Sequence, residues 1–98
     1  MILVQDTFVC KPGNAGKMAK LTKEVMMPID PHLKYVLTDM TGQWHRVIMV
    51  AEFNDLADYE NMWKQMANPT PEMKAAMDKF SGMNDLYVSG SREILKVW

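Results

Sequence analysis

Two stretches of this chain alternate as β-strands do, yet carry apolar side chains on both of their faces. From Ile2 to Lys11, one face holds Ile2, Val4, Asp6, Phe8 and Cys10, and the other Leu3, Gln5, Thr7, Val9 and Lys11. Between Trp44 and Phe53, the set His45, Val47, Met49, Ala51 and Phe53 backs onto Trp44, Arg46, Ile48, Val50 and Glu52. An antiparallel sheet with one wet face alternates apolar and polar residues more cleanly. Strands of this kind need cover on both sides. A chain of 98 residues, 48% of them hydrophobic, has more apolar material than a lone two-layer domain needs. A domain this small buries only about 60–65% of the surface its unfolded chain exposes, so the second cover is expected from another copy of the chain.

The remaining elements follow from breakers and caps. Pro12-Gly13 stops the first strand, and Asn14 is placed to cap a helix with Ala15, Met18, Ala19, Thr22, Val25 and Met26 at helical spacing. Its lysines, Lys17, Lys20 and Lys23, read as a solvated face. Pro28 and Pro31 end this helix. A second strand, about Lys34 to Met40, joins the third, about Trp44 to Phe53, through Thr41-Gly42-Gln43, which reads as a hairpin. Asn54-Asp55 starts a second helix with Leu56, Tyr59, Met62, Trp63 and Met66 as its apolar stripe, and Asn68-Pro69 breaks it. Thr70-Pro71-Glu72 restarts a helix through a capping hydroxyl, a proline at the first position and an acid facing the dipole. Met73, Ala76, Met77 and Phe80 follow at helical spacing, and Ser81-Gly82 closes the turn. Leu86 to Val97 is a long last strand, with Gly90 expected at a bulge or a close backbone approach.

The order β-α-β-β-α-(α)-β is the split βαβ arrangement. It predicts an α+β, ferredoxin-like fold over residues 1–98 as one domain, with a four-stranded antiparallel sheet in the order 4-1-3-2 and helices on one face. The other face, carrying apolar residues such as Ile48 and Val50, is expected to pack against its twin in a two-fold homodimer, closing a dimeric α/β barrel. The end Lys96-Val97-Trp98 is expected either to reach onto the partner's sheet or to fray.

Composition excludes several functions. Eleven Lys and Arg against 12 Asp and Glu leave no basic footprint for nucleic acid. No run approaches a membrane span, and Met1-Ile2-Leu3-Val4-Gln5-Asp6 lacks the basic start of a signal peptide. With Cys10 as the single cysteine, no internal disulfide forms, and the expected setting is the cytoplasm. His32 and His45 with that cysteine are too few for a zinc site, and no phosphate-binding glycine fingerprint occurs. Neither a metal nor a cofactor is expected.

Candidate site residues concentrate on the surface between sheet and helices. Asp6 stands among Ile2, Val4, Phe8 and Cys10, where a carboxylate must be hydrogen-bonded, paired or neutralised. Free of a structural partner it would suit a general base, abstracting a proton from a phenol or an acidic carbon. His45 is the second catalytic candidate, and strand pairing places it near Cys10 rather than Asp6. Phe8, Tyr59, Met62, Trp63, Met66 and Met77 are the candidate substrate-binding wall. Aromatic and thioether surfaces suit a flat apolar ligand, and equally a filled core. The 11 methionines leave the same choice open.

The junction Phe8-Val9-Cys10-Lys11-Pro12-Gly13-Asn14 resembles the strand-to-helix passage of the dimeric α/β-barrel superfamily, which includes antibiotic-biosynthesis monooxygenases, haem-degrading monooxygenases and NIPSNAP-like proteins. Ala51-Glu52-Phe53-Asn54-Asp55-Leu56-Ala57-Asp58-Tyr59 resembles their third-strand-to-helix passage. Gly90-Ser91-Arg92-Glu93-Ile94 is similar to the last strand of NIPSNAP-like members. The resemblance implies the fold and the homodimer. It implies two functions: a cofactor-independent monooxygenase acting on a small aromatic or quinol-like substrate, or a non-enzymatic, NIPSNAP-like ligand-binding or protein-interaction subunit. Aligned on Lys11-Pro12-Gly13, Asp6 stands where haem-degrading members have asparagine, Met62 where they have tryptophan, and Met77 where they have the haem-ligating histidine. Without that histidine the resemblance does not carry haem degradation.

Overall fold

The computed structural model describes residues 1–42 and 44–98. In chain order the elements are β1 (Ile2–Cys10), α1 (Ala15–Leu21), β2 (Leu33–Thr38), β3 (Arg46–Phe53), α2 (Leu56–Ala67), α3 (Pro71–Ser81) and β4 (Tyr87–Lys96). The strands form one antiparallel sheet ordered β2-β3-β1-β4, with the helices on one face: an α+β, ferredoxin-like architecture.

The helices begin and end for local reasons. The Asp55 carboxylate accepts from the Asp58 N–H at 2.8 Å and starts α2, and the Thr70 hydroxyl accepts from the Met73 N–H at 3.2 Å and starts α3 behind Pro71. Asn14 occupies the cap position of α1, but its side chain makes no capping bond; only its carbonyl accepts, from the Met18 N–H. After Leu21 the helix loosens into a wider turn over Thr22–Met26, where the Met27 N–H donates to the Thr22 carbonyl. The Thr22 hydroxyl bonds back to the Met18 carbonyl at 2.8 Å and Pro28 follows, both of which work against a regular α-helical ladder.

The β2–β3 connection is longer than a tight hairpin. His45 adopts φ = +64°, in the left-handed region, so Trp44 and His45 leave the strand and β3 begins at Arg46. The Asp39 carboxylate closes the loop by accepting from the Arg46 N–H at 2.7 Å. Of the expected loop Thr41-Gly42-Gln43, Gln43 lies outside the described residues. Gly90 stands opposite Phe8, and a Cβ there would meet the Phe8 ring at 3.2 Å, so this glycine makes room for an aromatic side chain. The irregularity in the pairing of β1 with β4 falls elsewhere, between Val9 and Cys10.

The helix-facing side of the sheet is defined by Val4, Cys10, Val47, Met49 and Phe53, all 9% exposed or less. Its two ends differ. At the α1 end, Cys10, Val47 and Leu33 pack with Met18 and Met83 into a filled core. At the other end α2 has no fully buried residue, although it carries an apolar stripe. The opposite face of the sheet carries Leu3, Thr7 and Val9 of β1, Ile48 and Val50 of β3, and Tyr35 and Leu37 of β2, with no helix or strand of the described residues over it.

Candidate functional site

The stripe of α2 faces a cavity. A space of about 420 Å3 separates the helix-facing side of the sheet from α2 and α3. Val4, Asp6 and Phe8 of β1 and Met49, Ala51 and Phe53 of β3 form its floor. These are alternate residues of paired strands, so the pleat aims all of them at the helices. Tyr59, Met62, Trp63 and Met66 of α2 form the wall facing it, at spacings that return to the same side of a helix. Met77 and Phe80 of α3 close another side, and Arg92 of β4 stands at the sheet's edge. The residues expected to bind a ligand, Phe8, Tyr59, Met62, Trp63, Met66 and Met77, all line this one cavity, and Asp6 with them.

Asp6 has a partner that sequence reasoning missed. β1 and β4 pair with Asp6 directly opposite Arg92. The guanidinium donates twice, Nε to Oδ1 at 2.6 Å and Nη2 to Oδ2 at 3.1 Å, and its Nη1 donates to the Tyr59 hydroxyl at 2.8 Å. The Arg92 Cζ lies 5.2 Å from the centre of the Trp63 ring, a cation–π contact. The hydrogen bond to Asp6, against the cost of burial, raises Arg92 further above its already high ordinary value. Asp6 is thus the two-pronged partner of Arg92, and a carboxylate held in this way has lone pairs left that can accept a further hydrogen bond.

Behind this polar group the aromatic rings are staggered edge to face: Tyr59 against Phe53 at 5.1 Å and against Trp63 at 6.2 Å. Asp30, whose carboxylate accepts from the His32 N–H at 2.9 Å, is the other ionisable group on the wall. Two carboxylates, Asp6 and Asp30, against one guanidinium, Arg92, give the wall a formal charge of −1.

The two catalytic candidates are not brought together. Cys10 N–H donates to the His45 carbonyl at 2.7 Å, which fixes His45 at the far end of β1 from the cavity. Its left-handed backbone turns it with the loop, its ring set edge-on to Trp44 at 6.0 Å. His45 lines no part of the cavity, and Asp6 and His45 do not form an acid–base pair. Cys10 meets the Met18 sulfur at 3.4 Å and is 3% exposed; burial pushes its thiol up, so it is no thiolate nucleophile. Among the described residues, no three His, Cys, Asp or Glu side chains are grouped to hold a metal ion, and no helix is long and apolar enough to cross a membrane.

No protein-family model matches the sequence, and no curated protein does. Solved structures do match its fold. An uncharacterized NIPSNAP domain protein from Burkholderia xenovorans superposes with a TM-score of 0.81 at 14% identity, over 100% of this chain and 95% of that one. A NIPSNAP family protein of unknown function from Agrobacterium tumefaciens superposes with a TM-score of 0.74 at 20% identity, over 99% and 87% of the two chains. An antibiotic biosynthesis monooxygenase superposes with a TM-score of 0.59 at 12% identity, over 100% and 99%. The chain therefore has the ferredoxin-like fold of NIPSNAP domain proteins and antibiotic biosynthesis monooxygenases. At these identities the likeness is one of fold.

Proposed function

We propose that the cavity binds a small, flat, uncharged aromatic hydroxyl compound, a phenol or quinol, and that the protein acts on it as a cofactor-independent monooxygenase. The observation that carries the binding reading is a largely apolar space of about 420 Å3 with a hydrogen-bonded cluster, Asp6, Arg92 and Tyr59, set into its lining, where Asp30, Ser81 and Asn84 are the further polar residues. That is the general pattern of a small-molecule site, in which apolar surface supplies affinity and a few polar groups fix orientation. The wall's formal charge of −1 works against carboxylate and phosphate ligands. A neutral hydroxyl can donate to the lone pairs that Arg92 leaves free on Asp6, with its ring among Phe53, Tyr59 and Trp63.

In the oxygenase reading Asp6 takes a proton from the bound substrate, and Arg92 faces the negative charge that develops on the substrate's oxygen. The substrate itself supplies the electrons. A phenol loses the hydrogen of one activated ring carbon and the hydrogen of its hydroxyl, one atom of dioxygen becomes a carbonyl oxygen on that carbon to give the quinone, and the other atom leaves as water with the two hydrogens.

The second reading is a binding subunit without catalysis. It is favoured by the engagement of both Asp6 oxygens by Arg92. Dioxygen uptake separates the two when protein is mixed with quinols and activated phenols that it binds. Protein-dependent uptake that is lost in Asp6→Asn supports the oxygenase. Binding by calorimetry with no uptake leaves the binding subunit.

We also infer that the open face of the sheet is the surface of a homodimer. Ile48, Tyr35 and Leu37 lie on this face of paired strands with half-buried or exposed side chains around the buried Val50, Leu3 lies on the same face of β1, and soluble monomers rarely leave a broad apolar sheet face bare. A second copy is self-complementary to it under two-fold symmetry.

A further inference from the structure

A second, narrower cavity of about 110 Å3 lies between α2, α3 and the segment from Met26 to His32. It shares Met26, Asp30, Met62, Met66 and Met77 with the wall of the main cavity. The two spaces are thus neighbours, divided by little more than thioether side chains. Met62 and Met66 stand one turn apart on α2, and Met73 and Met77 one turn apart on α3. With Met26 they bring five methionines from three segments around one narrow space.

These five differ from the methionines of the core. Met18 and Met83 are 0% and 1% exposed and fill the α1 end of the molecule. The five around the narrow space are only half-buried. Unbranched thioethers with free torsions can swing aside and close again around a flexible chain. Asp30 lines both spaces, and beyond the shared residues the narrow one is lined also by His32 and Gln65. His32 is held there by its Nδ1, 3.2 Å from the Glu52 carbonyl, and by stacking on Phe53 at 4.2 Å. The lane is therefore walled by thioethers, with Asp30 where it meets the main cavity and a fixed polar stop at His32.

We propose that this methionine lane takes an alkyl chain carried by the ligand, so that the ligands of the site are alkyl-substituted phenols or quinols. The aromatic head lies against Trp63 and Tyr59, and the tail runs between α2 and α3 toward His32. The proposal rests on the main cavity being a phenol or quinol site.

The test is calorimetric titration of the full chain with phenol and with para-alkylphenols from methyl to octyl. Affinity should rise about fourfold for each methylene that enters the lane, then level off once the tail reaches the polar stop. Met73 lines the lane and not the main cavity. Met73→Trp should leave phenol affinity unchanged and abolish the gain from the longer tails, and Ile29→Phe is the second variant should Met73→Trp not fold. Phenol binding without any gain from chain length overturns the lane and leaves the head site standing. A gain that persists unaltered in a folded lane variant also overturns it, because the tail then lies elsewhere. Failure of every member of the series to bind overturns both the lane and the head site.

Discussion

Asp6 and Arg92 face each other across β1 and β4, 86 residues apart in the chain, and are joined by two parallel hydrogen bonds of 2.6 and 3.1 Å. This fork is the charged pair of a largely apolar cavity. Its side chains remain 21% and 43% exposed, so water still screens it. In a double-mutant cycle of Asp6→Asn and Arg92→Lys, the coupling in urea denaturation should be about 1 kcal/mol or less. A coupling several times larger would show that the pair holds the fold together rather than serving the cavity.

Trp63 separates cavity lining from core. It is 42% exposed and reaches Arg92 and Tyr59. Trp63→Ala should change stability by less than a buried tryptophan would, while weakening phenol binding about tenfold, the order of one lost aromatic contact. Met18→Ala is the contrasting variant. Met18, on the inner side of α1, is fully buried, and its truncation should cost about 2–5 kcal/mol in denaturation with little effect on binding. A reversed pattern would mean that the cavity residues are core.

Much of this arrangement is legible in the sequence, and the missing parts have definite causes. Alternation along Ile2–Lys11 and Trp44–Phe53 gives two strands with apolar side chains on both faces, and helical spacing of Tyr59, Met62, Trp63, Met66 and Met77 gives the wall opposite them. Once the element order is known, these positions must confront one another. Arg92 was not recoverable, because its partner depends on the register of two strands at opposite ends of the chain, and the irregularity at Val9/Cys10 hides that register from residue counting. What the sequence does show is that Arg92 and Glu93 point to opposite faces. Residue type alone also does not reveal which methionines fill a core and which line a space. That depends on how far α2 stands from the sheet, and Trp63 and Arg92 occupy the rim where it stands off.

Gly90 controls the shape of the cavity through Phe8. A side chain at position 90 presses on the Phe8 ring from the edge strand. Phe8 lines the cavity and also packs edge-on against Tyr87 at 4.8 Å. Gly90→Val should therefore push the ring into the cavity and lower phenol affinity, with the far-ultraviolet circular dichroism unchanged. Undiminished binding by this variant would show that the Phe8 end of the cavity is not used.

The buried thiol of Cys10 gives the protein a pH signature. Desolvation raises its pKa from the ordinary value of 9.0. Between the unfolded and folded values the native state holds more protons than the unfolded one, so stability falls as pH rises through that interval. Its contribution is fully present below pH 9 and is lost as pH climbs through the folded value. Denaturation midpoints measured from pH 8 upward should decline above about 9, the decline being shallower in Cys10→Ala after allowance for that variant's lower starting stability. At neutral pH the native thiol should resist alkylation until urea unfolds the chain. Rapid alkylation of folded protein would contradict the burial.

The open sheet face yields the last prediction. Ile48 and Val50 lie on the strand next to β1, and Tyr35 and Leu37 extend the apolar surface onto β2, where they are 58% and 44% exposed. If two copies share this face, a charge at its centre is buried without a partner in both subunits at once, which costs several kcal/mol for each ion. Ile48→Glu should therefore convert a dimer, by sedimentation or light scattering, into a monomer. The helix-facing cavity lies on the other side of the sheet, so a monomeric Ile48→Glu protein that still folds should still bind phenol. A wild-type chain that sediments as a monomer at micromolar concentration would remove the homodimer, leaving the cavity and its ligand to be judged separately.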